Sequence, residues 1–283
     1  MIARAVDALL ELSVIGSFSK LGIGIRHRLE RWPPLESYDV SGLTVVASGV
    51  TSGIGQATVT QLACDGARIV GLARDQRQAR DVLTALPTCA IGEHVALRCD
   101  LTDFADVRRT ASKIRALAPK IDRLLHIAGV LSPTYAVTPG GIEVTLATHL
   151  LGPYLLTREL ESTFSTGTRI VWVSSGGMYT QGLDFDELEM GPKNYEGRRA
   201  YARAKRAQVV LSEQLAAEYV DDVTVHAMHP GWVATPGIAS GMPLFHRLFS
   251  PILRTPAGGA DTVIWLAAAP LPGESTGAVW HDR

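Results

Sequence analysis

The chain has 283 residues, 46% of them hydrophobic, which predicts a folded globular protein with a substantial core. Its 27 basic and 28 acidic side chains give a formal net charge of -1, so we expect no nucleic-acid partner. Cys64, Cys89 and Cys99 have neither metal-ligand spacing nor an even number. They predict free thiols in a reducing, cytoplasmic compartment and no metal site.

The first 30 residues are predicted to form an amphipathic helix, because apolar residues recur at three- and four-residue steps. These apolar positions are Ile2, Val6, Leu9, Leu10, Val14, Phe18, Leu21 and Ile25. Glu11 and Lys20 interrupt the run, which disfavours a membrane span or a signal peptide. Two interpretations stay open. The helix packs on the domain or on a partner subunit, or it rests on a membrane surface.

A linker, "RWPPLESYD" at residues 31–39, follows the helix; helix and linker together form an N-terminal extension (1–40), which precedes a single domain at 41–283. Short apolar, β-branched runs in this domain alternate with helical segments, among them 103–118, 142–164 and 200–219. The runs predict six strands at 43–48, 67–73, 94–100, 123–129, 168–175 and 223–230. Parallel strands need crossover helices, so we predict an α/β fold with a Rossmann-type, doubly wound parallel sheet.

The first predicted strand runs directly into "SGVTSGIG", residues 48–55, which contains Gly49, Gly53 and Gly55. A strand, a glycine turn and a helix start allow backbone N–H groups and the positive helix end to approach a pyrophosphate. The spacing differs from G-x-G-x-x-G, and no Walker lysine follows. The pattern predicts a cradle for phosphate groups.

These residues resemble the short-chain dehydrogenase/reductases, whose glycine motif TGxxxGxG appears here with Ser48 in place of the threonine. The resemblance covers residues 41–283. "SSGGM" (174–178), "MHPGWVATPG" (228–237) and the long N-terminal extension resemble the dehydrogenase/reductase member-12 group most closely. The resemblance implies cofactor contacts from Thr51, Ser52, Ile54, Asp100, Leu101, Ala128, Gly129, Pro230, Gly231, Val233 and Thr235, as well as from the catalytic residues below. For Asp100, a helix N-cap is the alternative role.

The end of the second strand, "GLARD", bears on the choice of cofactor. Ala73 stands where this family places the acid that selects NAD, and Arg74 follows it. A guanidinium suits the extra phosphate of NADP, so we expect NADP(H), with NAD(H) as the alternative. Asp75 is either a ribose ligand or, more simply, the N-cap of the next helix.

Tyr201 and Lys205, in "YARAK", match the family's YxxxK and lie four residues apart, hence on one helix face. The resemblance implies that Tyr201 exchanges a proton with the substrate oxygen, and we expect the Lys205 cation to lower the pKa of the phenol. Lys205 also corresponds to the family's lysine that holds the nicotinamide ribose. Ser175 is the expected substrate-orienting hydroxyl, with Ser174 as the alternative.

Two positions depart from the family pattern. The family's NNAG is "HIAG" here, so His126 and Ile127 put a polar contact near the adenosine in doubt. His149 stands where the family has an asparagine that relays protons to the lysine. A histidine can donate and accept, so His149 is a candidate catalytic residue, with a purely structural role as the alternative.

We expect a small-molecule carbonyl or alcohol as substrate. Residues 176–200 are predicted to wall one side of its pocket. Met242, Leu244, Phe245, Leu248 and Phe249 line an apolar pocket or pack as a helix. The competing functional hypothesis is a nucleotide-binding protein with weak or no turnover, tethered to a membrane or partner. A sugar-nucleotide epimerase or dehydratase is disfavoured, because few residues follow "HPG". The family often forms homo-oligomers, which is a further expectation.

Overall fold

We describe the protein from a computed structural model that covers residues 2–219 and 222–283, with side chains in the N-terminal helix from residue 6 onward. Seven strands form one sheet in the order β3-β2-β1-β4-β5-β6-β7. The strands are β1 Thr44–Ser48, β2 Arg68–Ala73, β3 Val95–Arg98, β4 Arg123–His126, β5 Thr168–Val173, β6 Val223–His229 and β7 Val279–His281. All six neighbouring pairs are parallel, which confirms the doubly wound α/β prediction.

Helices cover both faces of the sheet and bury two apolar clusters, one on each side. The α-helices are α1 Ile2–Glu11, α2 Val14–Phe18, α3 Lys20–Glu30, α4 Gly53–Cys64, α5 Gln76–Thr84, α6 Phe104–Leu117, α7 Val144–Leu146, α8 Gly152–Leu160, α9 Gly197–Glu218, α10 Pro236–Gly241, α11 Pro243–Phe249 and α12 Pro256–Ala268. Short 3-10 turns occupy Leu35–Ser37, Glu161–Thr163, Gly176–Thr180, Ser250–Ile252 and Leu271–Glu274. The central strands are buried throughout, as near-continuous apolar runs require.

The N-terminal extension forms three short helices where one was predicted, because two serines cap new helix starts. Ser13 Oγ accepts from the Gly16 N–H at 3.1 Å, and Ser19 Oγ accepts from the Leu21 N–H at 3.3 Å. Phe18 is buried on the domain, whereas Leu9 and Leu21 are more than half exposed. The apolar period therefore continues across two helix breaks. The predicted apolar position Ile2 lies outside the described side chains.

Among the described residues, no helix is both long enough and apolar enough to cross a membrane. Peripheral membrane contact through residues 1–30 stays a prediction, as does homo-oligomer formation.

The predicted helix at 142–164 is interrupted by a π-helical turn at Ala147–Leu151, between α7 and α8. Such wide turns often occur at functional sites. The turn contains His149, whose carbonyl oxygen accepts a hydrogen bond from Gln208 Nε2 of α9 at 2.6 Å. The interruption thus ties this helix to the one that carries Tyr201.

Candidate active site

One cavity of about 640 Å³ opens at the carboxyl ends of the strands, a size typical of small-molecule sites. It spans the switch point between β1 and β4, where doubly wound folds bind their ligands. Every predicted site residue except His149 lines it. These residues are Gly49, Thr51, Ser52, Gly53, Ile54, Gly55, Arg74, Asp100, Leu101, Ala128, Gly129, Ser175, Tyr201, Lys205, Pro230, Gly231, Val233 and Thr235. The structure thus brings together segments that are distant in sequence.

The glycine turn at 49–55 has a shape that side chains would block. Gly49 and Gly53 have φ values of 77° and 55°, in the left-handed region. A Cβ atom on Gly55 would lie 2.1 Å from the Gly49 carbonyl oxygen. Ser52 precedes α4, and within the described residues its side chain caps no N–H group. The first-turn N–H groups and this hydroxyl therefore suit the pyrophosphate of a dinucleotide.

Ser48 joins the glycine turn to the end of β4. Its Oγ accepts from the N–H groups of Ile127 and Ala128, both at 3.2 Å. This hydroxyl links the ends of the neighbouring strands β1 and β4. Ser48 therefore makes this link in place of the threonine of the family motif.

The end of β2 places Arg74 at the cavity and Asp75 at the start of α5. The Asp75 carboxylate accepts from the Arg77 N–H at 2.9 Å, so it is the helix N-cap and is already engaged. Arg74 lines the cavity and is exposed, and it takes part in none of the ion pairs among the described residues. Its guanidinium is therefore available to an anionic group of a ligand.

Asp100 closes a turn at the wall of the cavity. Its Oδ1 accepts from the N–H and the hydroxyl of Thr102, at 3.0 and 2.7 Å. The N-cap of α6 is Asp103, which accepts from the Ala105 N–H at 3.0 Å. The N-cap alternative for Asp100 is therefore wrong, and Asp100 instead shapes the loop beside Leu101.

His126 faces away from the cavity. Its Nε2 lies 2.8 Å from Thr157 Oγ1, and its ring packs on Trp172 with the centroids 4.3 Å apart. Burial lowers the pKa of His126 to about 3, so the ring is neutral. Ile127 lines the cavity instead. The departure "HIAG" thus puts an apolar side chain at the cavity and a histidine in the core.

Tyr201 and Lys205 of α9 share one face, as their spacing predicts. Lys205 Nζ donates to the Val173 carbonyl oxygen at 2.7 Å and lies 5.5 Å from the centre of the Tyr201 ring. Both side chains line the cavity. The carbonyl at the end of β5 therefore anchors the ammonium beside the phenol.

The two serines after β5 have different surroundings. Ser174 is buried, and its hydroxyl donates to the Lys205 carbonyl oxygen at 2.8 Å. Ser175 Oγ accepts from the Gly177 N–H at 3.2 Å and forms a hydrogen bond with Tyr201 that lowers the pKa of the phenol. The structure thus places Ser175, the predicted residue, beside Tyr201, while Ser174 supports the turn of α9 that carries Lys205.

The pKa of Tyr201 differs from the expectation. Burial raises the pKa of the phenol, and the hydrogen bond with Ser175 offsets only part of this effect. Burial also lowers the pKa of Lys205 to about 7. The expected lowering of the Tyr201 pKa is therefore wrong for this structure. The phenol keeps its proton at neutral pH and can donate it.

His149 lies behind Tyr201, outside the cavity lining. Its ring meets the Tyr201 ring edge-on with the centroids 5.1 Å apart, and its Nε2 lies 2.7 Å from the Val130 carbonyl oxygen. Burial and the nearby Lys205 charge hold the pKa of His149 well below its usual range. His149 is therefore a neutral ring that supports Tyr201 and Val130. A part in proton relay stays a prediction.

The loop after β6 packs against the glycine turn. A Cβ atom on Gly53 would lie 3.1 Å from Thr235 Cγ2, and Gly231 has a φ of 72°. Thr235 Oγ1 accepts from the Ile238 N–H at 3.3 Å and caps α10. Pro230 and Val233 complete this part of the wall.

The other end of the cavity, which we call the apolar end, is made largely of apolar side chains from distant segments. Its residues are Val14, Phe18, Leu131, Trp232, Met242 and Phe245. Of these six residues, only Met242 and Phe245 belong to the set for which the sequence left open a pocket wall or a packing helix. Leu244 and Leu248 of the same set are about two-thirds exposed, and Phe249 packs on Trp232. Segment 176–200 adds Gly176, Gly177, Thr180 and Arg198, as predicted.

Comparisons with known proteins agree with this geometry. A family model described as short chain dehydrogenase matches residues 43–241. The chain is 35% identical over 243 residues to "Putative daunorubicin C-13 ketoreductase DnrU" of Streptomyces sp. (strain C5), covering 86% of this chain and 84% of that protein. It is 32% identical over 248 residues to human dehydrogenase/reductase SDR family member 12, covering 86% and 78%. The predicted resemblance to the member-12 group is confirmed.

The solved structure "Pseudomonas aeruginosa RhlG/NADP active-site complex" has the same fold, with a TM-score of 0.68 and 24% identity over 88% of this chain and 96% of that chain. The family match spans the glycine turn, Ser175, Tyr201 and Lys205, which the structure gathers in one cavity. The chain belongs to the short-chain dehydrogenase/reductase family of oxidoreductases.

Proposed function

We propose that the protein is an NADP(H)-dependent oxidoreductase that interconverts a carbonyl and an alcohol on a lipophilic small molecule. The observation that carries this proposal is the single cavity that joins the glycine turn, the Ser175–Tyr201–Lys205 group and the apolar end. A dinucleotide on the glycine turn and an apolar substrate at the opposite end would meet at Tyr201.

The preference for NADP(H) is supported by Arg74. This side chain lines the cavity without an acidic partner among the described residues, and the neighbouring Asp75 caps α5. A guanidinium there favours the extra phosphate of NADP, and a free carboxylate for ribose hydroxyls is missing from this strand end.

The chain's own groups supply the proton chemistry. When bound, the nicotinamide supplies or accepts the hydride. Tyr201, which holds its proton at neutral pH, donates it to the substrate oxygen during reduction, and Ser175 orients that oxygen through a hydrogen bond. Lys205 places its ammonium beside the phenol and stabilises the phenolate left after proton transfer.

A lipophilic substrate is supported by the aromatic side chains at the apolar end. Trp232 meets Phe245 edge-on with the centroids 5.1 Å apart, and Phe18 with the centroids 6.2 Å apart. The Streptomyces relative is named as a ketoreductase, and another relative, mouse retinol dehydrogenase 14, is 32% identical over 252 residues. Both printed names are compatible with apolar carbonyl or alcohol substrates.

The test is to measure oxidation of NADPH and of NADH by the full chain with aromatic ketones, aliphatic aldehydes and polar sugar ketones. We expect turnover with NADPH and the apolar carbonyls, and much less with NADH or the sugars. Tight NADPH binding without turnover on any compound would support the competing hypothesis of a nucleotide-binding protein.

A further inference from the structure

The N-terminal extension reaches the active site through the side chain of Phe18. Phe18 is 8% exposed and lines the cavity, as does Val14 one helical turn earlier. A Cβ atom on Gly176 would lie 2.4 Å from Phe18 Cε2. Gly176 directly follows Ser175, so the Phe18 ring packs against the backbone beside the serine that would orient the substrate.

The Phe18 ring belongs to an aromatic cluster at the apolar end. Its centroid lies 4.5 Å from that of His229 and 5.0 Å from that of His281. Trp232 meets the Phe18 ring edge-on and also contacts Phe245. The ring is therefore held on several sides, and a substrate at this end would meet a rigid wall.

The backbone of the extension is bonded to the loop after β6. The Phe18 carbonyl oxygen accepts from the Trp232 N–H at 2.8 Å and from Arg254 Nε at 3.1 Å. Gly231 has no room for a side chain here, because a Cβ atom would lie 2.6 Å from that same oxygen. The Trp232 carbonyl in turn accepts from the Arg254 N–H at 2.7 Å.

Buried charges hold this junction. Arg254 and Asp282 are both 1% exposed and form an ion pair, and the Asp282 carboxylate also accepts from Arg26 Nη1 of α3 at 2.7 Å. Arg26 reaches α1 through Asp7 at 2.7 Å and through Glu11. Removing one partner of such a pair leaves a buried charge, so the extension cannot separate from the domain without a large penalty.

We propose that Phe18 is a specificity-determining residue: its ring forms the end wall of the substrate site and sets the upper size limit of the carbonyl compound. The inference rests on the proposed function for its substrate class. The extension is on this account part of the active site, with Arg26, Asp282 and Arg254 positioning Phe18.

The test uses the full chain and two variants that change the size of the wall in opposite directions. Phe18→Leu shortens the side chain, and Phe18→Trp lengthens it. Leu12→Ala is the matched control, since Leu12 lies in the same extension, is 83% exposed and does not line the cavity. Each protein is assayed with aryl ketones that carry one aromatic ring, two fused rings or three fused rings. Thermal unfolding confirms that each variant is folded.

We expect the ratio of kcat/KM for the three-ring over the one-ring ketone to rise about tenfold in Phe18→Leu and to fall in Phe18→Trp, since a few methylenes of pocket space change selectivity by this much. Leu12→Ala should leave the ratio unchanged. Equal ratios in wild type and both Phe18 variants would overturn the inference while leaving the proposed function intact.

A binding measurement separates failure of the inference from failure of the proposed function. The same ketones displace an anilinonaphthalene sulfonate dye from the NADPH-bound proteins. One outcome is that wild type shows no turnover while the ratio of affinities for the three-ring and one-ring ketones still shifts in the Phe18 variants. That result would contradict the proposed function and support Phe18 as the end wall. If no ketone displaces the dye from any of the proteins, the inference is overturned.

Discussion

The glycine-turn end of the cavity is built mainly from backbone, whereas the apolar end is built from side chains. At the first, Gly49 in the loop after β1 and Gly53 and Gly55 in the first turn of α4 shape one short stretch of backbone. At the second, Phe18 and Trp232 meet from segments more than 200 residues apart. Backbone presents the same N–H groups whichever side chains surround it, while a side-chain wall changes with each substitution. The difference suits a constant cofactor and a selective substrate site.

Tyr201 lies between the two ends, so its substitution tests whether they serve one reaction. Tyr201→Phe should lower kcat/KM for carbonyl reduction by a factor of about 100 to 10,000, because the variant lacks the proton donor. The dissociation constant of NADPH should change little. Steady-state kinetics and fluorescence titration measure the two quantities. Tyr154→Phe, on α8 and outside the cavity, is the control. Equal activity of the two variants would contradict the role of Tyr201.

Ser174 and Ser175 follow β5 side by side, and their substitution compares a structural serine with a serine expected to contact the substrate. Ser175→Ala should lower kcat about 100- to 1,000-fold, since it removes a hydrogen bond to the oxygen where charge develops. Ser174→Ala should lower the free energy of unfolding by about 1 kcal/mol and affect kcat less, because its hydroxyl serves the Lys205 carbonyl. Kinetics and urea unfolding of both variants give the answer. A larger kcat loss in Ser174→Ala would exchange the two roles.

Substitution of Arg74 tests cofactor binding at the glycine-turn end alone. Arg74→Ala should raise the dissociation constant of NADPH about 10- to 100-fold, the usual range for a charge-assisted hydrogen bond, and leave that of NADH unchanged. Calorimetric titration with both cofactors measures this. Arg77→Ala is the matched control, since Arg77 is exposed on the adjoining helix and does not line the cavity. Equal weakening of NADPH and NADH binding would argue against a phosphate contact.

Substitution of Lys205 tests stability alone. Burial lowers the pKa of Lys205 from the ordinary lysine value of 10.5 to about 7 in the folded protein, so the unfolded chain binds more protons between these values. On this account the free energy of unfolding rises with pH across that window, by at most about 1.4 kcal/mol per pH unit. Lys205→Met should lack this component. Urea unfolding of both proteins without cofactor, at pH values across the window, measures the difference. Parallel slopes would show that Lys205 titrates normally.

The sequence predicts the parts of the site that local chemistry determines. The glycine turn and the Tyr201–Lys205 pair depend on the conformation of one turn or one helix face, so their residues are recognisable in short segments. Asp75 as a helix cap follows from its position before α5 in the same way. All of these predictions needed only neighbouring residues.

Apart from Met242 and Phe245, the apolar end could not be predicted, because it depends on contacts between distant segments. Nothing in the sequence near Phe18 shows that its ring meets Gly176, or that Arg26, in a basic stretch, pairs with Asp282. Ser13 and Ser19 are ordinary N-cap residues, but the apolar period running through them suggested one helix. The three-residue strand β7 was also missed, since so short a segment carries no clear pattern.

The most direct measurement of the central claim is transfer of a label between the two ends of the cavity. NADPH carrying deuterium at the transferable position of its nicotinamide is incubated with an aryl ketone and the full chain, and the product is analysed by mass spectrometry. We expect an alcohol with one deuterium on its carbinol carbon, formed by wild type and nearly absent with Tyr201→Phe. NADPH bound tightly with no labelled alcohol from any carbonyl compound would contradict the account.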